Sequence, residues 1–206
     1  MLSILISAGW PIWPLLVISV IGLAILLERL WFLRGAKATP KSDVDQALTF
    51  AELVQKADAK IPQESLELLR SNSPLGQLLV CAIEARQSKQ SVDIALEQLR
   101  DTASPIFKSF EKYLGALATI ATIAPLMGLF GTVVGMIEIF GSQSGAVANP
   151  QQLAHGISVA LYNTAFGLLI AIPALGGWRG LRAMADARQE ECNEASRRVL
   201  KTLYNA

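Results

Sequence analysis

Polar side chains within long apolar stretches are the residues of this sequence whose types and spacing could do chemistry. Thr132 lies in one such stretch, and Ser158, Asn163 and Thr164 lie in a later one. In lipid, such side chains are costly enough to indicate a functional role or bonding between helices. A Ser or Thr hydroxyl can instead bond to a carbonyl of its own helix, and for each hydroxyl alone both interpretations stay open. The Asn163 amide cannot satisfy all its groups in that way, so Asn163 is expected to face a pore or a partner.

Glu138 is the only carboxylate between Lys112 and Arg179. A loop rich in Gly, Ser and Asn begins at Gly141. Glu138 is therefore expected to reach the outer interface of the membrane that the helix spans rather than to be buried. A proton route through a membrane needs a group that can gain and lose a proton in the interior, and this chain places none there. If the chain conducts protons, another protein must supply the carboxylate.

The sequence does not favour an enzyme, a metal site or nucleic-acid binding. The run Gly128–Gly135 has the wrong glycine spacing for a dinucleotide loop, and Gly141–Gly145 lacks the central serine of a nucleophile elbow. With a single His and two Cys that lack paired-ligand spacing, no metal and no cofactor are expected. The formal net charge of +1 gives no basic footprint for nucleic acid.

The elements that must position the polar residues are three predicted membrane-spanning helices. Of the 206 residues, 52% are hydrophobic and 17% are charged, against about 25% charged residues in an ordinary soluble domain. A hydrocarbon core about 30 Å thick requires roughly 20 apolar residues in a helix. Three stretches without charge meet this requirement: Ala8–Leu27, Leu114–Ile137 and Gly156–Trp178. The first is too long for a cleaved signal peptide and follows no Lys or Arg, so it is expected to remain as an anchor.

The distribution of charge predicts which way the spans face. Residues 34–112 hold eleven Lys or Arg and eleven Asp or Glu, and residues 179–206 hold six and four. The N-terminal residues and residues 141–155 contain no Lys or Arg. The positive-inside rule therefore places the N-terminus outside and both charged regions in the cytoplasm. Each charged region is expected to contact the lipid bilayer where it joins a span. The residues expected at the cytoplasmic interface are Glu28, Arg29, Arg179 and Arg182.

The region between the first and second spans has helical cues rather than the composition of a linker. Ser73 followed by Pro74 is typical of a helix cap and first turn. Residues 46–57 and 92–99 show a similar spacing of apolar residues. No breaker lies between residues 105 and 114, so the helix of the second span is expected to begin in the cytoplasm, and the third is expected to run on into the tail.

The predicted fold is therefore an all-α membrane protein with three transmembrane helices, of which the second and third extend into a helical cytoplasmic domain. The predicted segments, in order, are a short periplasmic N-terminus (1–7), the first span (8–33), the cytoplasmic helical domain (34–112), the second span (113–140), a periplasmic loop (141–155), the third span (156–178) and a cytoplasmic C-terminal helix (179–206).

Small residues recur at helical spacing in the second and third spans, which allows helices to approach closely. Simple packing of these two spans within one subunit is at least as well supported as a special role. The prolines each remove a backbone hydrogen bond within a span, and kinks at a working site and bends without function are equally compatible with them. The residues expected to pack or kink the helices are Pro125, Gly128, Gly131, Gly135, Gly167 and Pro173.

Two segments of the sequence resemble the motifs of one family. Ala124–Met136, which reads APLMGLFGTVVGM, is similar to the second-span motif of the MotA/TolQ/ExbB proton-channel family. Gly156–Leu168, which reads GISVALYNTAFGL, with AIPA at Ala171–Ala174, is similar to the third-span motif. The two motifs in this order, with three spans, resemble the family over nearly the whole chain. The chain is most similar to ExbB and TolQ, because MotA-type stators have four spans.

The resemblance implies an ion-driven stator in the bacterial inner membrane. It implies a homopentamer around a dimer of a single-span ExbD-like or TolR-like protein, whose membrane Asp carries the proton. In the family, the threonines that match Thr132 and Thr164 line the central pore beside that Asp. With Asn163, Ser158 and Glu138 they form the candidate ion pathway. A TonB-like or TolA-like protein then transmits the work to the outer membrane.

The sequence departs from the family at Val159, where ExbB and TolQ commonly carry Glu. A polar step in the ion path would then be lost, and Glu138 is a candidate substitute as an ion-attracting group. Unchanged ion flux in Glu138→Gln would contradict this. The departure leaves open whether the chain is of the ExbB or the TolQ type, and the hydroxyl-lined path leaves open whether the ion is a proton or sodium.

Two other functions compete with the stator. The first is a passive membrane scaffold or assembly factor without ion conduction, in which the polar residues only hold helices together. The second is a small-molecule transporter, which is disfavoured because three spans rarely enclose a substrate alone and no internal repeat is visible.

Overall fold

The computed structural model describes residues 10–34, 39–57, 60–142 and 150–204, and it contains helices but no strand within these ranges. The helices are α1 (Ile12–Arg34), α2 (Lys41–Ala57), α3 (Gln63–Asn72), α4 (Pro74–Gln87), α5 (Val92–Glu111), α6 (Leu114–Ser142) and α7 (Pro150–Tyr204). The chain divides into two compact units. We call residues 1–28 with 113–180 the apolar unit, and residues 29–112 with 181–206 the charged unit.

Three helical stretches are long and apolar enough to cross a membrane, which confirms the predicted all-α membrane protein. They are Ile12–Arg34, Val92–Gly141 and Gly156–Tyr204. The last belongs to α7, a helix of 55 residues that is about 80 Å long at the rise of an α-helix. A hydrocarbon core is only about 30 Å thick, so a large part of α7 lies outside it.

Some predicted segments lie outside the described residues. The N-terminal segment 1–7 is one of them, and so are residues 143–149 of the predicted loop. Around that loop the helices are longer than predicted, because α6 continues to Ser142 and α7 already begins at Pro150. Proline suits the first position of a helix, where its missing N–H has no partner to lose.

The sequence shows no breaker between residues 105 and 114, yet the helical chain is interrupted there by two residues. Helix α5 ends at Glu111 and α6 begins at Leu114. Between them, Lys112 is extended with ψ 132°, and Tyr113 has φ 64°, a conformation that costs a residue with a side chain about 1–2 kcal/mol. Sequence patterns mark breaks by glycine or proline, whereas here a tyrosine takes the left-handed conformation.

The core of the apolar unit is built from small side chains. Leu15 of α1 packs with Ala124 of α6 and Ala171 of α7, and Met127 and Ile170 cover this cluster. Because two of the three central residues are alanines, the helix backbones can come close together. In this unit α1 therefore packs directly against both α6 and α7.

Helix α4 is the centre of the charged unit, where it contacts α2, α3 and α5. Its start confirms the predicted cap: the Ser73 side chain accepts a hydrogen bond of 2.9 Å from the backbone N–H of Gly76, and Pro74 occupies the first turn. Most of its apolar side chains are buried, including Leu78, Leu79 and Ile83. Burial on nearly all sides is expected of a helix at the centre of a bundle.

Polar side chains connect the other helices of the charged unit to this centre. Asp43 of α2 is 1% exposed and accepts hydrogen bonds from the Ser73 hydroxyl and, at 2.6 Å, from the Asn72 amide at the junction of α3 and α4. Between α5 and α7, the Arg182 guanidinium lies 3.2 Å from the Glu111 carboxylate. These bonds specify which surfaces of the helices meet.

Glu191 of α7 forms a further polar connection within the charged unit. It accepts hydrogen bonds from the Thr39 hydroxyl and, at 2.7 Å, from Arg188. Arg188 also donates a bond of 3.2 Å to the backbone carbonyl of Leu33. Partial burial acts to raise the pKa of Glu191, but the hydrogen bonds and the charge of Arg188 outweigh it and hold that pKa below its ordinary value.

Candidate functional site

The contact between α6 and α7 contains Asn163 and the predicted packing glycines of both helices. Its members pair in opposite order along the two helices, which shows that the helices are antiparallel. A Cβ atom on Gly128 would lie 3.0 Å from the Cα of Thr164. A Cβ on Gly135, two turns further along α6, would lie 3.2 Å from the Cβ of Ala160.

Glycine is required in this contact because backbone faces backbone. A Cβ atom on Gly167 of α7 would lie 2.6 Å from the backbone oxygen of Ala124 and 3.1 Å from the Cα of Gly128. Neither of these atoms can move without moving its helix. The structure thus places the predicted packing glycines between two helices of the same chain.

Asn163 lies inside this contact and is 1% exposed. A Cβ atom on Gly131 would lie 2.8 Å from the Cβ of Asn163, 2.9 Å from its Cγ and 3.0 Å from its Nδ2. The amide therefore occupies the space that the missing side chain of Gly131 leaves. This placement differs from the sequence prediction, in which Asn163 faces a pore or a partner, because the glycine on the opposite helix provides room for it within the chain.

Thr132 and Thr164 lie on one edge of the α6–α7 pair. Thr132 follows Gly131 and Thr164 follows Asn163, and each residue of an α-helix is rotated by about 100° from the one before it. In two right-handed helices that run in opposite directions, this rotation turns both threonines to the same side. Their positions along the pair differ by about two residues, or about 3 Å. Both side chains are half-buried.

The hydroxyls on these two helices also bond to their own backbones. The Thr132 hydroxyl donates a bond of 2.7 Å to the carbonyl of Leu129, and the Ser158 hydroxyl donates one of 2.9 Å to the carbonyl of Ala154. Thr119 does the same to Gly115 at 2.9 Å. Such bonds let a hydroxyl rest in an apolar medium without a further partner.

The structure does not bring Ser158 and Glu138 to the edge formed by the two threonines. Each lies six residues from the threonine of its helix, which is about 120° around the helix axis. Both side chains are exposed, and Glu138 lies one turn before the end of α6. Of the five predicted ion-pathway residues, only Thr132 and Thr164 share an edge.

A surface depression of about 550 Å³ adjoins Thr132. It is formed by α6 alone among the described residues, and its other lining residues are Val133, Met136, Ile137, Phe140 and Gly141. Val133, Ile137 and Phe140 are between 50% and 66% exposed. This surface offers one hydroxyl beside a broad apolar area.

Pro125 and Pro173 lie inside α6 and α7, and both helices continue past them. Pro173 lines an apolar groove of about 240 Å³ with residues of all three helices of the apolar unit, among them Leu23, Ile120 and Phe166. The groove and the threonine edge share no lining residue.

Two of the predicted interface residues make specific contacts within the charged unit. Arg29 is only 5% exposed. It donates a hydrogen bond of 3.0 Å to the carbonyl of Ser109, and its guanidinium lies 5.0 Å from the centre of the Phe32 ring. Arg182 pairs with Glu111, whereas Arg179 and Glu28 are exposed. The expectation that Arg29 marks a membrane interface did not anticipate its burial.

No group of three or more His, Cys, Asp or Glu side chains that could hold a metal occurs among the residues that the structure describes. The side chain of His155 is not among them. Sequence reasoning missed the pairing of Gly131 with Asn163. The signal that could have revealed it is that a polar residue stands in the small-residue stripe of the third span, between Ala160 and Gly167.

Comparison with known proteins adds independent information. Residues 70–194 match the MotA/TolQ/ExbB proton channel family. Over 186 residues the chain is 32% identical to the biopolymer transport protein exbB1 of Vibrio cholerae serotype O1, which covers 86% of this chain and 77% of that protein. Over 189 residues it is 29% identical to the biopolymer transport protein ExbB of Pseudomonas putida, covering 90% and 56%. A segment of 85 residues is 41% identical to the Tol-Pal system protein TolQ of Haemophilus influenzae, covering 41% and 37%.

Proposed function

The chain belongs to the MotA/TolQ/ExbB proton channel family, and we propose that it is the stator and channel subunit of an ion-driven motor in the bacterial inner membrane. The motor is of the ExbB–ExbD or TolQ–TolR type and uses the proton motive force. It energises a TonB-like or TolA-like protein that serves transport across, or integrity of, the outer membrane. The N-terminus is periplasmic and the C-terminus cytoplasmic, in keeping with the positive-inside rule.

The observation that carries this proposal is that Thr132 and Thr164, both half-buried residues, lie on one edge of α6 and α7. Thr132 and Thr164 lie about 3 Å apart along the helix pair and face the same side. An ion that passes through an apolar medium needs polar atoms at short intervals, and two neighbouring hydroxyls on one edge supply them. The apolar depression beside Thr132 suits a partner helix that covers this edge.

The proton carrier comes from the partner. Glu138 is the only carboxylate between residues 113 and 178, and it lies six residues, or about 9 Å along the axis, from Thr132. Five copies of the chain surround a dimer of a single-span partner whose membrane Asp meets the threonine edge. Glu138, exposed near the outer end of α6, attracts cations to the pathway, and the reaction involves no cofactor and no enzymatic step.

A passive scaffold is the second candidate, and one observation favours it. The Thr132 hydroxyl already donates to a carbonyl of its own helix at 2.7 Å, so it needs no ion to be satisfied. A hydroxyl that donates one bond can still accept another. The two candidates therefore differ in whether removal of a hydroxyl changes ion flux or only packing.

The test is Thr164→Val in the complex with its native single-span partner, reconstituted in lipid vesicles. Valine keeps the shape of threonine and removes the hydroxyl, so we expect normal assembly by native mass spectrometry and a loss of about a hundredfold in pH-dependent ion flux, as for removal of a preorganised polar contact. Thr119→Val is the matched control. Thr119 is exposed, does not lie on the edge that Thr132 and Thr164 share, and bonds only to its own helix.

Wild-type flux in Thr164→Val, or transport-linked work by the wild-type complex that an uncoupler does not affect, would reject the ion-conducting role and favour the scaffold. Unchanged flux in Glu138→Gln would reject the cation-attracting role of that residue alone. Loss of flux in Thr119→Val as well as in Thr164→Val would show that the effect is not specific to the threonine edge.

A further inference from the structure

Asn163 is the largest side chain in the centre of the α6–α7 contact. Its neighbours on the same face of α7 are Ala160, Gly167 and Ala171. It is 1% exposed, and three of its atoms would lie within 3.0 Å of a Cβ atom on Gly131. The contact thus has room for one side chain at this level, and that side chain is on α7.

Thr132 follows Gly131 and Thr164 follows Asn163, and these are the two threonines of the proposed pathway. A change in the rotation of α7 that removes Asn163 from its position opposite Gly131 also turns Thr164 away from the edge that it shares with Thr132. An increase in the separation of the helices widens that edge. The side-chain volume at positions 131 and 163 therefore sets the placement of both hydroxyls.

The chemistry of the amide strengthens this constraint. An amide turned towards lipid would have only hydrocarbon around it, which offers its polar groups no hydrogen-bond partner. An apolar side chain at position 163 would face lipid at no such cost, because lipid tails are as apolar as leucine. Asparagine therefore favours one rotation of α7 over the others, as a single buried Asn specifies register in coiled coils.

We propose that Asn163, through its fit against Gly131, is a positioning residue that holds Thr132 and Thr164 on one edge of the ion pathway. The inference rests on the proposed ion-conducting function. It assigns Asn163 no contact with the ion, and it replaces the pore-lining role that the sequence suggested for this residue.

The test uses the assembled complex with its native partner in vesicles and measures ion flux per assembled complex. Gly131→Ala adds a Cβ atom that would lie 2.8 Å from the Cβ of Asn163, and we expect it to lower flux about tenfold or more, because small displacements of a working group are costly. Gly131→Ala combined with Asn163→Gly moves the single side chain to the other helix and removes the three Asn163 atoms that lie nearest to the added Cβ, so it should restore at least about half of the wild-type flux. Gly115→Ala is the matched control, since a Cβ there meets nothing within 4 Å.

The outcomes separate this inference from the proposed function. Wild-type vesicles without flux would overturn the proposed function and this inference with it. When the wild type conducts, two results overturn the inference alone: Gly131→Ala conducts normally per assembled complex, or the double variant conducts no better than Gly131→Ala. A lower yield of complex with normal flux per complex shows a purely structural role and likewise overturns it. Loss in Gly131→Ala with recovery in the double variant supports it.

Discussion

In the apolar unit, α6 and α7 meet through backbone atoms, whereas in the charged unit α2 meets α3 and α4 through hydrogen-bonding side chains. The Cα atoms of Gly128 and Gly167 face each other in the first contact. In the second, Asp43 accepts hydrogen bonds from Asn72 and Ser73. Both places are buried. The helices of the apolar unit are apolar enough to span a membrane, and in lipid the burial of apolar surface between helices gives no hydrophobic gain.

The two contacts tolerate different substitutions. A contact between backbones depends on volume, so an added side chain as small as a methyl group disturbs it. A contact between polar side chains depends on paired donors and acceptors, and removal of one partner leaves the other unsatisfied. The charged unit also uses a glycine, since a Cβ on Gly76 would lie 2.0 Å from the carbonyl oxygen of Leu69, but this glycine lies beside the Asp43 hydrogen bonds and supports the same junction.

The largest effect is expected from a methyl group added to the α6–α7 contact. Gly167→Ala places a Cβ 2.6 Å from the backbone oxygen of Ala124, and we expect it to destabilise the apolar unit by about 3 kcal/mol, at the upper end of the cost of overpacking. The measurement is the midpoint of thermal unfolding of the detergent-solubilised protein.

Gly176→Ala is the matched control for that variant. It lies on the same helix, and its Cβ meets nothing within 4 Å, so it should be neutral or stabilise α7 by up to about 1 kcal/mol through better helix propensity. Equal midpoints for the two variants would show that backbone proximity does not limit this contact.

The second prediction concerns the hydrogen bonds in the charged unit. Asp43→Ala removes the acceptor for Ser73 and Asn72 at a position that is 1% exposed, and we expect a loss of about 2 kcal/mol from unsatisfied buried donors. The effect should appear as earlier hydrogen exchange of α2 and the start of α4. Asp45→Ala, exposed on the same helix, removes the same charge and should change little. If Asp45→Ala is as costly, charge near the start of α2 rather than the buried hydrogen bonds stabilises the junction.

Local patterns in the sequence predicted the parts of both units that depend on local chemistry. The three apolar spans follow from runs of uncharged residues, and the Ser73 cap follows from its place before Pro74. These features depend only on residues that are close together in the sequence and on the surrounding solvent or lipid. Family resemblance then supplied the pairing of Thr132 with Thr164 as a functional prediction.

The remaining features depend on residues far apart in the sequence. Asn163 is buried because Gly131 faces it from another helix, and its amide alone does not reveal this neighbour. Asp43 is buried because donors 29 and 30 residues away converge on it. The break between α5 and α6 occurs at Lys112 and Tyr113, neither of which is a glycine or a proline. In each case the sequence shows the side chain but not the surface that it meets.

A change in pH is expected to have a small effect, and only on the contacts of the charged unit. In the charged unit, bonds from Thr39 and Arg188 hold the pKa of Glu191 below its ordinary value of 4.5. A lowered pKa in the folded state adds stability that is fully present above about pH 4.5 and is lost as the pH falls through the folded value. Because the Glu191 side chain is 49% exposed, solvent screening limits this contribution to less than about 1 kcal/mol. Glu191→Gln should therefore reduce the acid-induced loss of protection from hydrogen exchange around Thr39 and Arg188. The α6–α7 contact depends on volume, so at every pH it should show the same exchange in the wild type and in Glu191→Gln. A pH response at the α6–α7 contact that Glu191→Gln removes would show that the two kinds of contact are not independent.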